Sequence, residues 1–169
     1  QEMHDFISAI NADNPGMQAR IIPCIPTILP IHDLYGDFLA EKKGYKLPVG
    51  LTYNEVSPYY LDLANLGILG LCGKENTGHR NFIKCIYSYL ESRKSECPAR
   101  IAVFDDVKRK FAELKSNTLT ELYTLDMEQV KSVIEEWHEI LTNRYEKMLA
   151  SENTADTSEL LLMIIQNND

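Results

Sequence analysis

At 169 residues, 44% of them hydrophobic, the chain can bury one real core and carry a short appendage. Charged residues make up 25%, so the composition is not that of a disordered chain. The formal charge of −8, from 25 acidic against 17 basic residues, opposes a nucleic-acid-binding surface, because phosphate contacts need clustered Lys and Arg.

Glu2 to Ala12 predicts a short amphipathic helix with Met3, Phe6, Ile7 and Ile10 on one face. Pro15 and Gly16 stop it. Pro23, Pro26 and Pro30 forbid a regular helix or central strand between Ile21 and Ile31, so an extended linker is expected there. A second short helix around His32 to Lys43 precedes Gly44. Residues 1–45 therefore read as linker and short helices, and the folded domain begins at 46. Its first strands are Leu47–Leu51 and Tyr59–Leu63 around a polar turn. The apolar run Gly67–Cys72 reads as a further strand, followed by a helix from His79 to Lys94 with Phe82, Ile83, Ile86, Tyr87 and Leu90 at helical spacing.

Ile101–Phe104 is the next buried strand, ending in Asp105-Asp106, and Leu122–Leu125 is a shorter one. The strongest helix starts at Asp126, a capping residue with Gln129 as its capping-box partner. Its stripe of Met127, Val130, Ile134, Trp137, Leu141 and Met148, with Tyr145 beside it, is expected to be core. Leu160–Ile165, beyond the polar loop Ser151–Thr157, is expected to be a fully buried strand. Continuously apolar strands alternating with helices indicate an α/β fold with a parallel sheet covered by helices on both faces. A sheet of this class continues past its last strand, so truncation after Ile165 is expected.

The order strand, glycine-rich turn, helix is what a phosphate-binding loop requires. Against G-x-x-x-x-G-K-[ST], the chain offers Gly73, Lys74, Glu75, Asn76, Thr77, Gly78, His79 and Arg80. Both glycines fit and both chemical positions do not. His79 replaces the lysine that neutralises phosphates, and Arg80 replaces the hydroxyl that binds magnesium. The second half of the site fails alike. After Leu161–Ile165 a Walker B strand would give a metal-binding Asp and a water-activating acid, but the chain has the amides Gln166 and Asn167, which are no bases near neutral pH. Asp169 lies beyond the strand end. Alone, the glycine spacing would be read as an ordinary strand-to-helix loop. No metal site and no catalytic residue are assigned.

With these motifs the chain resembles the FtsK/SpoIIIE class of ring ATPases. More closely, it is similar to the ATPase repeats of type VII secretion motors (the EssC/YukB/EccC family). Leu47-Pro48-Val49-Gly50-Leu51 resembles the family's "lPvGl" opening, Tyr60–Leu63 the strand after it, and Gly67-Ile68-Leu69 the "Ghll" before the P-loop. Ile101–Asp105 followed by Lys108 resembles the second strand, and Glu135-Glu136-Trp137 with Asn143-Arg144-Tyr145 the "L…em..Ry" helix. Pro23-Cys24-Ile25-Pro26 resembles the "WLPPLP" linker between repeats, without its Trp. The resemblance implies a RecA-like P-loop NTPase fold cut after the Walker B strand. It makes residues 1–45 the end of a preceding repeat and 46–169 a degenerate ATPase-like domain.

The substitutions at His79, Arg80, Gln166 and Asn167 point to a later repeat, such as the third, in a parent whose first repeat is the working ATPase. The resemblance further implies a non-hydrolysing regulatory or scaffolding role in protein export. The implied partners are the other repeats of the same chain, WXG-type substrates and an oligomeric ring, with no nucleic acid. The place is a cytoplasmic domain of a membrane-anchored parent. A partner-binding module that recognises WXG-type substrates with the decayed face is the alternative, and an active ATPase or DNA translocase fits least. No cofactor is certain. Weak ATP binding stays open, because Arg80 and the free N–H groups of the helix start could hold an anion. Alternatively, the Arg80 side chain fills the empty site.

Other residues receive plainer readings. Lys74 is a solvated loop lysine rather than the second lysine of a deviant Walker loop. Asp105 and Asp106 cap the following turn rather than pair on a metal, Cys72 packs, and His138 lies at the surface. The four cysteines, Cys24, Cys72, Cys85 and Cys97, form no C-x-x-C pair, so reduced thiols are expected. No apolar run approaches the ~20 residues of a membrane-spanning helix. The polar start Gln1–Asp5 does not read as a signal peptide, so any membrane anchor is expected outside this segment.

Overall fold

The computed structural model describes residues 2–13, 24–30, 33–34, 44–74, 77–150 and 159–166. Of the helix expected over His32–Lys43, only Asp33 and Leu34 fall among these residues, and both are helical. The loop Ser151–Thr157 lies outside them, as do Glu75, Asn76, Asn167 and Asp169. In chain order the elements are α1 (Glu2–Asp13), β1 (Lys46–Leu51), β2 (Pro58–Asp62), α2 (His79–Ser92), β3 (Ala99–Phe104), a 3-10 turn (Ala112–Ser116), β4 (Thr120–Thr124), α3 (Met127–Leu149) and β5 (Leu160–Ile165). The chain forms two compact units, one of residues 1–40 with 48–59 and one of residues 41–47 with 60–169.

In the first unit, α1 shows its apolar residues at the expected helical spacing, all exposed, from Met3 at 76% to Ile10 at 46%. The polar turn after β1 closes on itself. The Thr52 N–H donates to the Ser57 carbonyl at 2.8 Å, and the two hydroxyls meet at 2.9 Å. Residues 24–30 adopt no regular structure, as their prolines require.

The second unit is built on a parallel sheet in the order β4-β3-β5. β3 takes the middle because its residues Ile101 and Val103 are β-branched and wholly buried, at 0% exposure, which suits a strand covered on both faces. Alternation then sends Arg100, Ala102 and Phe104 to the other face. There Val130 and Val133 of α3 share one packed space with Ala102, Phe104, Leu122 and Met163. Arg100 closes this face at its edge, donating to Glu121 on β4 and to Glu136 on α3 at 2.8 Å. Those bonds, to Glu121 first, hold the guanidinium above its ordinary pKa. Helix α2 is tied to the start of β4 by the Tyr87 and Thr120 hydroxyls, 2.8 Å apart, and it buries Ile83, Ile86, Tyr87, Tyr89 and Leu90. Burial, opposed by the hydrogen bonds to Thr120 and Arg93, pushes the Tyr87 and Tyr89 phenols up to about 12.

Three expectations are corrected. Gly67–Cys72 is not a strand; residues 66–72 have no regular structure, and Ile68 is 95% exposed. Gly67 sits at φ 66, outside extended geometry, and β3 already has a neighbour on each side, so this run has no inner place in the sheet. Along α3, the core side is Val130, Val133 and Trp137, whereas Met127, Ile134, Leu141, Tyr145 and Met148 are exposed by 49–63%. Met127 and Ile134 stand to one side of the Val130–Trp137 line, and beyond Trp137 the 23-residue helix, about 35 Å long, outruns strands of five or six residues that reach about 20 Å. Asp126 does cap α3, its carboxylate accepting the Glu128 N–H at 3.0 Å. The return bond comes from Thr124 rather than Gln129: the Thr124 hydroxyl accepts the Asp126 N–H at 2.9 Å.

The end of β3 carries a deeply buried carboxylate whose hydrogen-bonding demand is met. Asp105, 2% exposed, accepts the N–H groups of Asp106 and Phe111 and the O–H of Tyr123, at 2.8–2.9 Å. Asp105→Ala would orphan three donors, which predicts a loss of about 2–4 kcal/mol in chemical denaturation, with Asp105→Asn intermediate.

Candidate functional site

Glycine is needed at position 78 because the chain turns there through φ 104, a conformation that costs other residues dearly, to start α2. Among the described residues, no side chain caps this start. On its other side the loop is drawn tight. The carbonyl of Lys74 accepts both the N–H of Thr77 at 3.3 Å and its hydroxyl at 2.6 Å. The Thr77 hydroxyl in turn lies 3.5 Å from Nδ1 of His79.

The imidazole of His79 then folds back over Gly73. A Cβ placed on Gly73 would lie 2.8 Å from Cε1 and Nε2 of His79 and 2.7 Å from the Thr77 hydroxyl. The space beside Gly73 is thus taken up by the side chains of His79 and Thr77.

Arg80 takes a third course, neither open to an anion nor turned into the loop. Its guanidinium grips Glu113 of the 3-10 turn with both arms, Nε donating to Oε1 at 2.6 Å and Nη2 to Oε2. Lys84, one turn further along α2, stands 3.4 Å from the same carboxylate. Arg80 holds the Glu113 carboxyl below the usual range, chiefly through these hydrogen bonds, and Glu113 raises Arg80 in return. Glu113 had no sequence signal. It stands 33 residues from Arg80 in a short turn without periodicity.

At the C-terminal ends of the strands, the Gln166 N–H continues the β5 ladder by donating to the Phe104 carbonyl at 2.9 Å, and the residue is half-buried. Asp105 is consumed by its three donors. Asp106 caps the turn through the Lys108 N–H at 2.8 Å, while its Oδ2 is buried without a partner among the described residues. The turn-capping reading of this acid pair therefore holds. Burial first, and then the bond to Asp105, pushes the Tyr123 phenol up to about 12. Lys74, Cys72 and His138 are exposed, so Cys72 does not pack as expected.

No family model matches the chain. Over 123 residues it is 29% identical to the ESX secretion system protein YukB of Bacillus subtilis (strain 168), a match that takes in 72% of this chain and 8% of YukB. Its structure is similar to the cytoplasmic domain of EssC, with a TM-score of 0.64 and 20% identity over 95% of this chain and 31% of that one. The chain is thus similar to a segment of the EssC and YukB secretion proteins. The α/β fold with its parallel sheet is that of the EssC cytoplasmic domain. The chain spans less than a tenth of YukB and under a third of the EssC chain. None of its described helices is long and apolar enough to cross a membrane.

Two outcomes test this geometry. Gly73→Ala should cost about 1 kcal/mol by crowding His79, and His79→Ala should relieve most of that cost in a double-mutant cycle. The second concerns pH. A carboxyl held below its unfolded value stabilises the fold above that value and loses the effect as pH falls through the lowered one. Wild type should therefore melt above Glu113→Gln near pH 6, and the two melting curves should converge as pH falls below the ordinary carboxylate range.

Proposed function

We propose that this EssC/YukB-like repeat is a non-hydrolysing, regulatory or scaffolding module of a type VII secretion motor, with a nucleotide loop kept in outline and emptied of chemistry. The carrying observation is the packing of His79 and Thr77 over Gly73, while Arg80 is committed to Glu113. Hydrolysis would need a cation on the β- and γ-phosphates, a magnesium ligand, and an acid to activate water. The loop supplies an imidazole and a neutralised guanidinium, and β5 leads into the amides Gln166 and Asn167. Resting on the relation to YukB and EssC, the proposed setting is the cytoplasmic side of a membrane-anchored parent, beside other repeats of the same chain.

The exposed run Ile68–Leu71 before the loop supports a second role alongside the first. Apolar side chains left in solvent beside a decayed site suit the docking of a helical, WXG-type secreted substrate.

Restoring the loop separates its two deficits. His79→Lys with Arg80→Thr should bring back Mg-ATP binding, seen as a rise of roughly 2.7 kcal/mol in stability at ligand a hundredfold above Kd. Turnover should stay at background, because the two positions that follow β5 are the amides Gln166 and Asn167. Turnover by the unmodified repeat, abolished by Gly78→Ala, would overturn the proposal.

A further inference from the structure

The turn that leaves β3 is a basic stretch on an acidic chain. Residues 107–115 carry four cations, Lys108, Arg109, Lys110 and Lys115, against one acid, Glu113, while the whole chain stands at −8. Glu113 already faces Arg80 and Lys84 of α2, so the neighbouring helix adds charge of the same sign. The two acids before the turn are directed at its backbone. Asp105 is 2% exposed, and Asp106 accepts the N–H of Lys108. At the crest Val107 is 90% exposed, with Lys108 and Arg109 exposed beside it.

The shape of this turn is set in advance. The Asp106 carbonyl accepts the Arg109 N–H at 2.9 Å, the Asp105 carboxylate accepts the Phe111 N–H at 2.8 Å, and the Arg109 carbonyl accepts the Ala112 N–H at 3.2 Å. Within this frame Arg109 sits at φ 50, in the left-handed region that suits glycine. The turn thus holds an arginine where the backbone favours glycine, and a valine where nothing packs on it. Neither backbone geometry nor burial accounts for these two side chains. We infer that the Val107–Lys115 turn is a docking surface for a short acidic segment of a partner protein. Its carboxylates meet the forked guanidinium of Arg109 and the flanking lysines, and an apolar residue covers Val107. A turn held in place before binding loses little freedom on binding.

Size selects this class of partner. In about 0.15 M salt the field of exposed charges fades over about 8 Å, so a short segment meets the turn alone. A nucleic-acid duplex or a lipid surface would reach past it to the rest of a chain with net charge −8, and one valine inserts little apolar area into lipid.

Fluorescence anisotropy with the 169-residue chain tests the inference. The probe is a labelled peptide of about twelve residues, half glutamate with leucines between, in about 0.15 M salt. Saturable binding is expected, and none for the same peptide with glutamine in place of glutamate. Arg109→Gly, which suits φ 50, should weaken binding about fivefold or more while the melting midpoint holds or rises. Lys147→Gln, a charge change on α3, should leave the affinity unchanged. No saturable binding overturns the inference, as does equal binding of the glutamine peptide, or an affinity that survives Arg109→Gly or falls equally with Lys147→Gln. Tighter binding of duplex DNA or of phosphatidylserine vesicles, lost in Arg109→Gly, overturns the protein partner too. The Mg-ATP experiments do not involve this turn, so the motor role is tested separately.

Discussion

The carboxylate of Asp105 sets the geometry on which the rest of the site region depends. Buried at the end of the central strand, it gathers Asp106, Phe111 and Tyr123 and so fixes the path of the chain out of the sheet. Phe111, itself 5% exposed, is the residue from which the 3-10 turn begins. Two residues later Glu113 projects from that turn to take both arms of Arg80. One buried acid thus governs, through a short rigid turn, where a loop residue of α2 can point. A carboxylate this deep is tolerable because three donors replace its lost water.

The sequence was legible wherever a local pattern and its tertiary fate agreed. Ile101–Phe104 and Leu160–Ile165 read as buried parallel strands, and they do pair in parallel. Of the second, however, only Ile164 is buried and Ile165 is 60% exposed, because that strand takes the edge of the described sheet. The α2 stripe, with Ile83, Ile86, Tyr87 and Leu90, faces the core as its spacing requires, and the Asp126 cap is local chemistry that needs no tertiary information. Gly67–Cys72 misled, since apolar content suggests a strand but cannot supply an edge to pair with. On α3, apolar positions alone could not tell the sheet-facing stripe from the exposed one, because a 3.5-residue and a 3.6-residue repeat differ little over two turns.

The loop was legible in its glycines and illegible in its contacts. Gly73 and Gly78 mark the turn, and Gly78 does adopt the left-handed conformation that only glycine takes cheaply. That His79 would fold over Gly73, or that Arg80 would leave for Glu113, depends on side-chain packing across 33 residues and has no counterpart in local sequence. The result has a simple physical sense. On the proposed reading, the imidazole of His79 and the hydroxyl of Thr77 take the space that a nucleotide-binding loop leaves for its ligand.

Calorimetry of Mg-ATP against the unmodified repeat, at protein concentrations of about 50–100 µM, tests that filling most directly. The account predicts no saturable heat up to millimolar nucleotide, the range where Kd corresponds to about −4 kcal/mol. A saturable isotherm with Kd in the micromolar range, lost on Gly78→Ala, would contradict it.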